Sequence, residues 1–161
     1  MKRILFTLLV LTSFNSHAKN AELLVEQCLP PAYWTVMKSI VKVESSGKLY
    51  ALGVNEAGYK SHYPQTVNEA RYTIRSLLEK GLSFGIGLAQ IDTQHFKPGK
   101  LFWKRGFTEE DALDPCTNLK MGAMIFSDNY RRYGNVADAL SAYNTGSPTR
   151  GYKNGYLARF N

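Results

Sequence analysis

The sequence predicts a mainly α single domain with irregular loops and a small hairpin, and three observations predict it. Apolar residues recur at helical spacing in several segments. Cap residues stand just ahead of those segments, at Thr66, Asp114 and Asn135. The 161 residues show no repeat, no low-complexity tract and no linker, so one lobe with one core is expected.

The elements follow in order. Residues 1–18 read as a secretory signal peptide. Lys2 and Arg3 precede an apolar run from Ile4 to Leu11, and Ser16-His17-Ala18 supplies a small-x-small cleavage site. The run is too short to span a bilayer; an uncleaved N-terminal anchor is the alternative. The mature domain is then 19–161, periplasmic or secreted, with no stable membrane span once the signal is removed.

A short helix is expected over 20–28, ending before Pro30-Pro31. Pro31 suits the first turn of a second helix, where its missing N–H does no harm. In that helix Tyr33, Val36, Met37, Ile40, Val41 and Val43 recur at helical spacing. Glu44, four residues after Ile40, points to the same side, and Ser45-Ser46-Gly47 end the segment. Residues 48–64 read as a loop, with a small hairpin near Asn55 to Gly58. Thr66 and Glu69 form a capping box, and Val67, Ala70, Ile74, Leu77 and Leu78 face inward until Gly81. Gly85 and Gly87 allow close backbone approach, and 87–95 reads as a short helix. Residues 97–106 are loop-like. Asp114-Pro115 opens the longest helix, whose small and apolar face is Leu119, Gly122, Ala123, Ile125, Phe126 and Tyr130. Gly134 ends it. Asn135 caps another helix from Val136 to about Tyr143, a loop-like tail follows, and a last short helix begins near Tyr156.

The full chain carries a formal charge of +7, from 20 basic and 13 acidic residues. Without Lys2 and Arg3 the balance is 18 to 13, about +5. A basic exported protein suits an anionic partner such as cell wall. The basic residues are scattered, with Lys104-Arg105 and Arg131-Arg132 the only adjacent pairs after the signal, which argues against nucleic acid. Cys28 and Cys116, an isolated pair in an oxidising compartment, are expected to form a disulfide. Two cysteines and three histidines without ligand spacing argue against a metal, and nothing calls for a cofactor.

Three short signals then stand in order: Glu44-Ser45, Gly87-Leu88-Ala89-Gln90, and Ala142-Tyr143-Asn144-Thr145-Gly146. Each alone is weak. In this order they resemble the lytic transglycosylase (goose-lysozyme-like) family, whose pattern is an E-S pair at a helix end, a G-L-x-Q segment and an A-Y-N segment. "DPCTNLKMGA", "ALSAYNTG" and a cysteine ahead of the acid-bearing helix resemble the branch found with type IV secretion and conjugation machines. The resemblance covers about residues 22–158. The chain departs from it at Ala89, where methionine is usual, and at Ile86, where serine is frequent.

The resemblance implies a lysozyme-like fold, peptidoglycan glycan strands as substrate and secretion-machinery proteins as partners. The residues supply a physical reason. A glycosidic bond needs a proton donor for its leaving oxygen, and a carboxyl group on an apolar helix face is desolvated and stays protonated. Glu44 is therefore the candidate general acid; a solvated glutamate at a helix end is the structural alternative. Tyr143 offers an O–H to hold Glu44 or an acetamido oxygen, and Gln90 and Asn144 can both donate and accept. Ser45 either bonds the glutamate or ends its helix. Asp92 is the nearest second acid, read as a turn cap. Tyr50, Tyr59, Tyr63, Tyr152 and Tyr156 are placed in loops, where rings stack on sugars or anchor the chain. By resemblance the product is a 1,6-anhydromuramic end. A hydrolytic muramidase and a non-catalytic wall-binding module are the alternatives.

Overall fold

The computed structural model describes residues 18–160. The leader expected over 1–18 lies, but for Ala18, outside them. Helix α1 covers 18–28. A 3-10 turn, Pro31–Tyr33, runs into α2, Trp34–Ser45. Strand β1 is Leu52–Val54, and α3 is Val67–Glu79. Strands β2, Phe84–Ile86, and β3, Ile91–Asp92, follow. After three short 3-10 segments come α4, Pro115–Tyr133, α5, Val136–Thr145, and α6, Arg150–Lys153. A 3-10 turn at Leu157–Phe160 closes the described chain. The protein is mainly α, with one three-stranded sheet among the described residues. No described helix is long and apolar enough to cross a membrane.

The helix starts obey their caps. Thr66 Oγ1 accepts from Glu69 N–H, Asp114 Oδ1 from Thr117 N–H, and Asn135 Oδ1 from Asp138 N–H. Each bond satisfies an amide that a helix start leaves orphaned. Glu69 completes its box one residue early, accepting from Gln65 N–H at 2.8 Å. α2 stops because Ser46 and Gly47 are left-handed, at φ 53° and 78°. The apolar stripes of α2 (Met37, Ile40, Val41, Val43) and α4 (Leu119, Met121, Ile125, Phe126) converge in one core with α1, α3 and the sheet. Gly122 of α4 makes that convergence possible. A Cβ there would meet Ala89 Cβ at 2.7 Å, Met37 Cε at 2.9 Å and Tyr143 Oη at 3.0 Å.

The sheet departs from expectation. The hairpin expected near 55–58 is reduced to one antiparallel bridge, Leu52↔His62; a second hairpin joins β2 to β3, and β1 pairs antiparallel with β2 in the register Leu52↔Ile86, Gly53↔Gly85, Val54↔Phe84. Strands of two or three residues are too short for an alternating pattern to emerge. The helix expected over 87–95 is a tight turn, β3 and a 3-10 segment at Thr93–Phe96. Gly87 at φ 74° and Gln90 at φ 49° are incompatible with helix. Leu78 and Tyr130, expected inward, are half exposed, and the tail forms α6 instead of a loop.

Cys28 at the end of α1 is bonded to Cys116 in the first turn of α4, with Cα atoms 5.2 Å apart and a sequence separation of 88. The Lys38–Glu26 ion pair also joins α1 to α2. Closing so long a loop restricts the unfolded chain and is worth roughly 4 kcal/mol in the chain-entropy model. Reduction, or the Cys28→Ser/Cys116→Ser double variant, is expected to lower Tm by roughly 10 °C, read from melts with and without reductant.

Candidate active site

A groove of about 530 Å³ runs between the sheet and the α4–α5 pair, and Glu44 opens onto it. One wall carries Gly53, Asn55, Gln90, Asp92 and His95; the other carries Asn129, Arg132, Tyr143 and Asn144. The motifs separated along the chain therefore meet: Glu44, Gln90, Tyr143 and Asn144 all line one cleft.

Glu44 is set by its neighbours. It stands in the last turn of α2, half-buried. Burial pushes its carboxyl above the usual carboxylate range; a hydrogen bond from Tyr156 and the charge of Arg159 pull the other way without cancelling the rise. Tyr156 Oη donates to Glu44 Oε1 at 2.5 Å. With Oε1 occupied as an acceptor, Oε2 is the oxygen left to carry the proton.

Tyr156 lies in the bend between α6 and the last 3-10 turn, but its ring is 3 % exposed and packs edge-on to Phe160 at 5.2 Å, so it anchors the chain and offers no face for a sugar. Burial and the neighbouring Glu44 carboxylate push its phenol far above the ordinary tyrosine range, so it serves as a permanent donor. Tyr50, Tyr59, Tyr63 and Tyr152 do not line the groove; Tyr152 donates to Asp138 Oδ1 from α6, and Lys48 Nζ sits over the Tyr63 ring. Tyr133, at the end of α4, is the tyrosine beside Tyr143 that does line it.

Tyr143 spends its hydrogen on the Ala89 carbonyl at 2.7 Å, not on Glu44. Its oxygen can therefore only accept from the site, and burial holds its phenol well above the usual range. Gln90 is similarly committed. Its Nε2 donates to Ala51 O at 3.0 Å and Gly87 O at 2.9 Å, while Oε1 lies against Gly53 and Gly85. Asn144 is exposed on the groove wall. Ser45 is buried and does not line the groove: its Oγ donates to Val41 O and accepts from Gly47 N–H, which ends the helix.

Asp92 is the second carboxylate in the groove, and it is held as a cap. Oδ1 accepts from Gln94 N–H and Ser83 Oγ, and Oδ2 from Asn55 Nδ2. His95, beside it, is lowered in pKa by burial, with Asp92 opposing, which keeps a neutral ring on that wall at neutral pH.

The turn that carries Ala89 and Gln90 is fixed from behind by Asn118 of α4, 1 % exposed. Its Oδ1 accepts from Ala89 N–H, and its Nδ2 donates to Ile86 O and Ala112 O, all at 2.8 Å. Gly87 is required under it, since a Cβ would strike the Asn118 amide. The sequence offered one faint signal for Asn118: a polar residue beside Leu119 on an apolar helix face.

Comparison with known proteins agrees with this geometry. The family model for the transglycosylase SLT domain matches residues 30–157. The chain belongs to the SLT transglycosylase family. Among curated proteins, the type IV secretion system protein virB1 of Brucella abortus is 37 % identical over 139 residues, 81 % of this chain and 56 % of the relative. Protein virB1 of Agrobacterium fabrum is 33 % identical over 141 residues, 83 % of this chain and 54 % of the relative. The invasion protein IagB of Salmonella typhimurium is 34 % identical over 119 residues, 73 % and 64 % respectively. The chain thus spans little more than half the length of the virB1 relatives. No solved structure gives a significant match. The SLT match takes in Glu44, Gln90, Tyr143, Asn144 and Tyr156 together.

Two outcomes follow from these contacts. Asn118→Leu removes three bonds to buried backbone groups and is expected to cost roughly 3 kcal/mol or more, read from urea unfolding. Glu44 holds its proton more tightly in the folded than in the unfolded state, so ionising it opposes folding. The penalty is absent below the ordinary value of 4.5 and fully present above the raised folded value. Glu44→Gln is expected to be more stable than wild type at pH 8. It should lose the gain at pH 4, as thermal melts at the two pH values will show.

Proposed function

We propose that this protein is an exported peptidoglycan lytic transglycosylase, with Glu44 as its single acid–base group. The signal peptide is residues 1–18, the catalytic domain is 19–161, and the site of action is the periplasm. The observation that carries this reading is the state of the two groove carboxylates. Glu44 is desolvated, with Oε2 left for a proton, whereas Asp92 is spent on three hydrogen bonds. A groove with one available acid suits a reaction that needs no base to activate water.

The chemistry balances on that one group. Glu44 gives its proton to the glycosidic oxygen as the bond from C1 of N-acetylmuramic acid to O4 of N-acetylglucosamine breaks. The acetamido oxygen of the same muramic residue closes on C1 and carries the positive charge. The Glu44 carboxylate, held by Tyr156, then removes the proton from the C6 hydroxyl as that oxygen attacks C1. The 1,6-anhydro ring forms, the acetamide is restored, and Glu44 ends protonated with no water consumed. Tyr143 Oη and Gln90 Oε1 accept from sugar N–H and O–H groups, and Asn144 supplies a donor from the wall. Ser45 acts through the helix end that presents Glu44.

The virB1 relatives support a role beside a type IV secretion system, where local cleavage would open the wall for the assembling apparatus. The basic surplus suits the anionic wall. Purified protein acting on peptidoglycan sacculi is expected to release anhydro-ended muropeptides, identified by mass spectrometry. Glu44→Gln should lower the rate by about 10²–10⁴-fold. Reducing ends would establish a hydrolase instead. Full activity in Glu44→Gln would remove Glu44 from the mechanism.

A further inference from the structure

The last turn of the described chain, Leu157–Phe160, reaches back across the molecule to the end of α2. There the Arg159 Nη2 donates to the carbonyl of Val43, the residue before Glu44. That carbonyl needs a partner from elsewhere. In a continued helix the Gly47 amide would bond it, but α2 has stopped and Gly47 N–H turns to Ser45 Oγ. The same guanidinium lies 5.8 Å from the centre of the Tyr156 ring, whose hydroxyl donates to Glu44. One arginine thus touches the backbone that presents the acid and the ring that orients it. A cation at a helix C-terminus is also favoured by the exposed carbonyl dipoles there.

We propose that Arg159 is a positioning residue for Glu44: it caps the end of the acid-bearing helix through Val43 and supplies the positive charge that balances the Glu44 carboxylate between turnovers. This rests on the reading of Glu44 as the acid–base group. A carboxyl that must give up its proton and take one back within a turnover works best when neither form is too stable. Burial favours the protonated form. Tyr143 on α5, and Asp92 across the groove, add no positive charge, and Tyr156 adds a hydrogen bond but no charge. Arg132 lies on the far wall with α4, and His95 is neutral. Arg159 does not line the groove, and it is the cation whose charge bears on Glu44.

The test uses the full disulfide-bonded protein with 13C-labelled glutamate carboxyls, the Glu44 signal assigned by its absence in Glu44→Gln. In Arg159→Gln the Glu44 titration midpoint is expected to rise by about half to one pH unit. The alkaline limb of kcat/KM for glycan release should move up by the same amount, and Arg159→Lys should stay near wild type. Should Arg159→Gln fail to fold, citrulline installed at 159 keeps the donor to Val43 and removes only the charge. It is expected to raise the midpoint with little change in Tm. An unchanged Glu44 midpoint in the folded neutral variants overturns the proposal, even if Tm falls. The carboxyl titration needs no turnover, so absence of glycan cleavage in wild type would count against the assigned activity and leave the Arg159 result readable on its own.

Discussion

Each of the three hydrogen bonds of the Asn118 side chain ends on a different stretch of backbone: Ala89 in the turn, Ile86 in β2, Ala112 in the segment before α4. A buried amide is tolerated only when its donors and acceptor are all met, and here one backbone N–H and two backbone carbonyls meet them. The turn it holds is strained, with Gly87 and Gln90 both left-handed. That turn offers the Ala89 carbonyl to Tyr143 and aims Gln90 back across the sheet. One residue on the inward face of α4 thus determines the shape of the groove wall opposite the acid.

The acid is governed by a different balance. Taking Glu44 out of water makes its proton hard to lose, and a site built on burial alone would leave a poor base. The contacts from the end of the chain temper this. Tyr156 occupies one oxygen without giving up a proton of its own, and Arg159 contributes charge through the helix end. Asp92 lies on the same groove yet is tied to Gln94, Ser83 and Asn55, which makes it part of the sheet's edge. Two carboxylates in one cleft therefore have different characters because of their surroundings, a common way for one fold to separate its acid from its scaffold.

These two arrangements are joined through α2 and α4. The disulfide fixes α1 to the start of α4, and Gly122 lets Met37, Ala89 and Tyr143 close over the middle of that helix. A single added methyl there would press on the helix that carries the acid, the turn and the tyrosine at once. Membership of the SLT family fits a domain whose site is assembled from helix ends and one tight turn.

Much of this was legible in the residues alone. Helical spacing, caps and left-handed stops are short-range signals, so α2 to α5 and their ends fell close to where they were read, and Glu44 was already on the inner side of its helix. What the sequence could not assign were contacts between distant segments. The sheet strands are too short to announce themselves, and β1 finds its partner β2 some thirty residues along the chain. Ser45 spends its hydroxyl, and Gln90 its amide donors, inside the fold, because only packing reveals which backbone groups lack partners. Tyr156 reads as a loop ring that stacks on a sugar or anchors the chain, and only the fold makes it the donor on Glu44 from 112 residues away. The sequence by itself determined the helices and put Glu44 on the inner side of its own, since both follow from local pattern. The tertiary structure alone decided what surrounds that acid, because desolvation and hydrogen bonding depend on which residues the chain brings back to it.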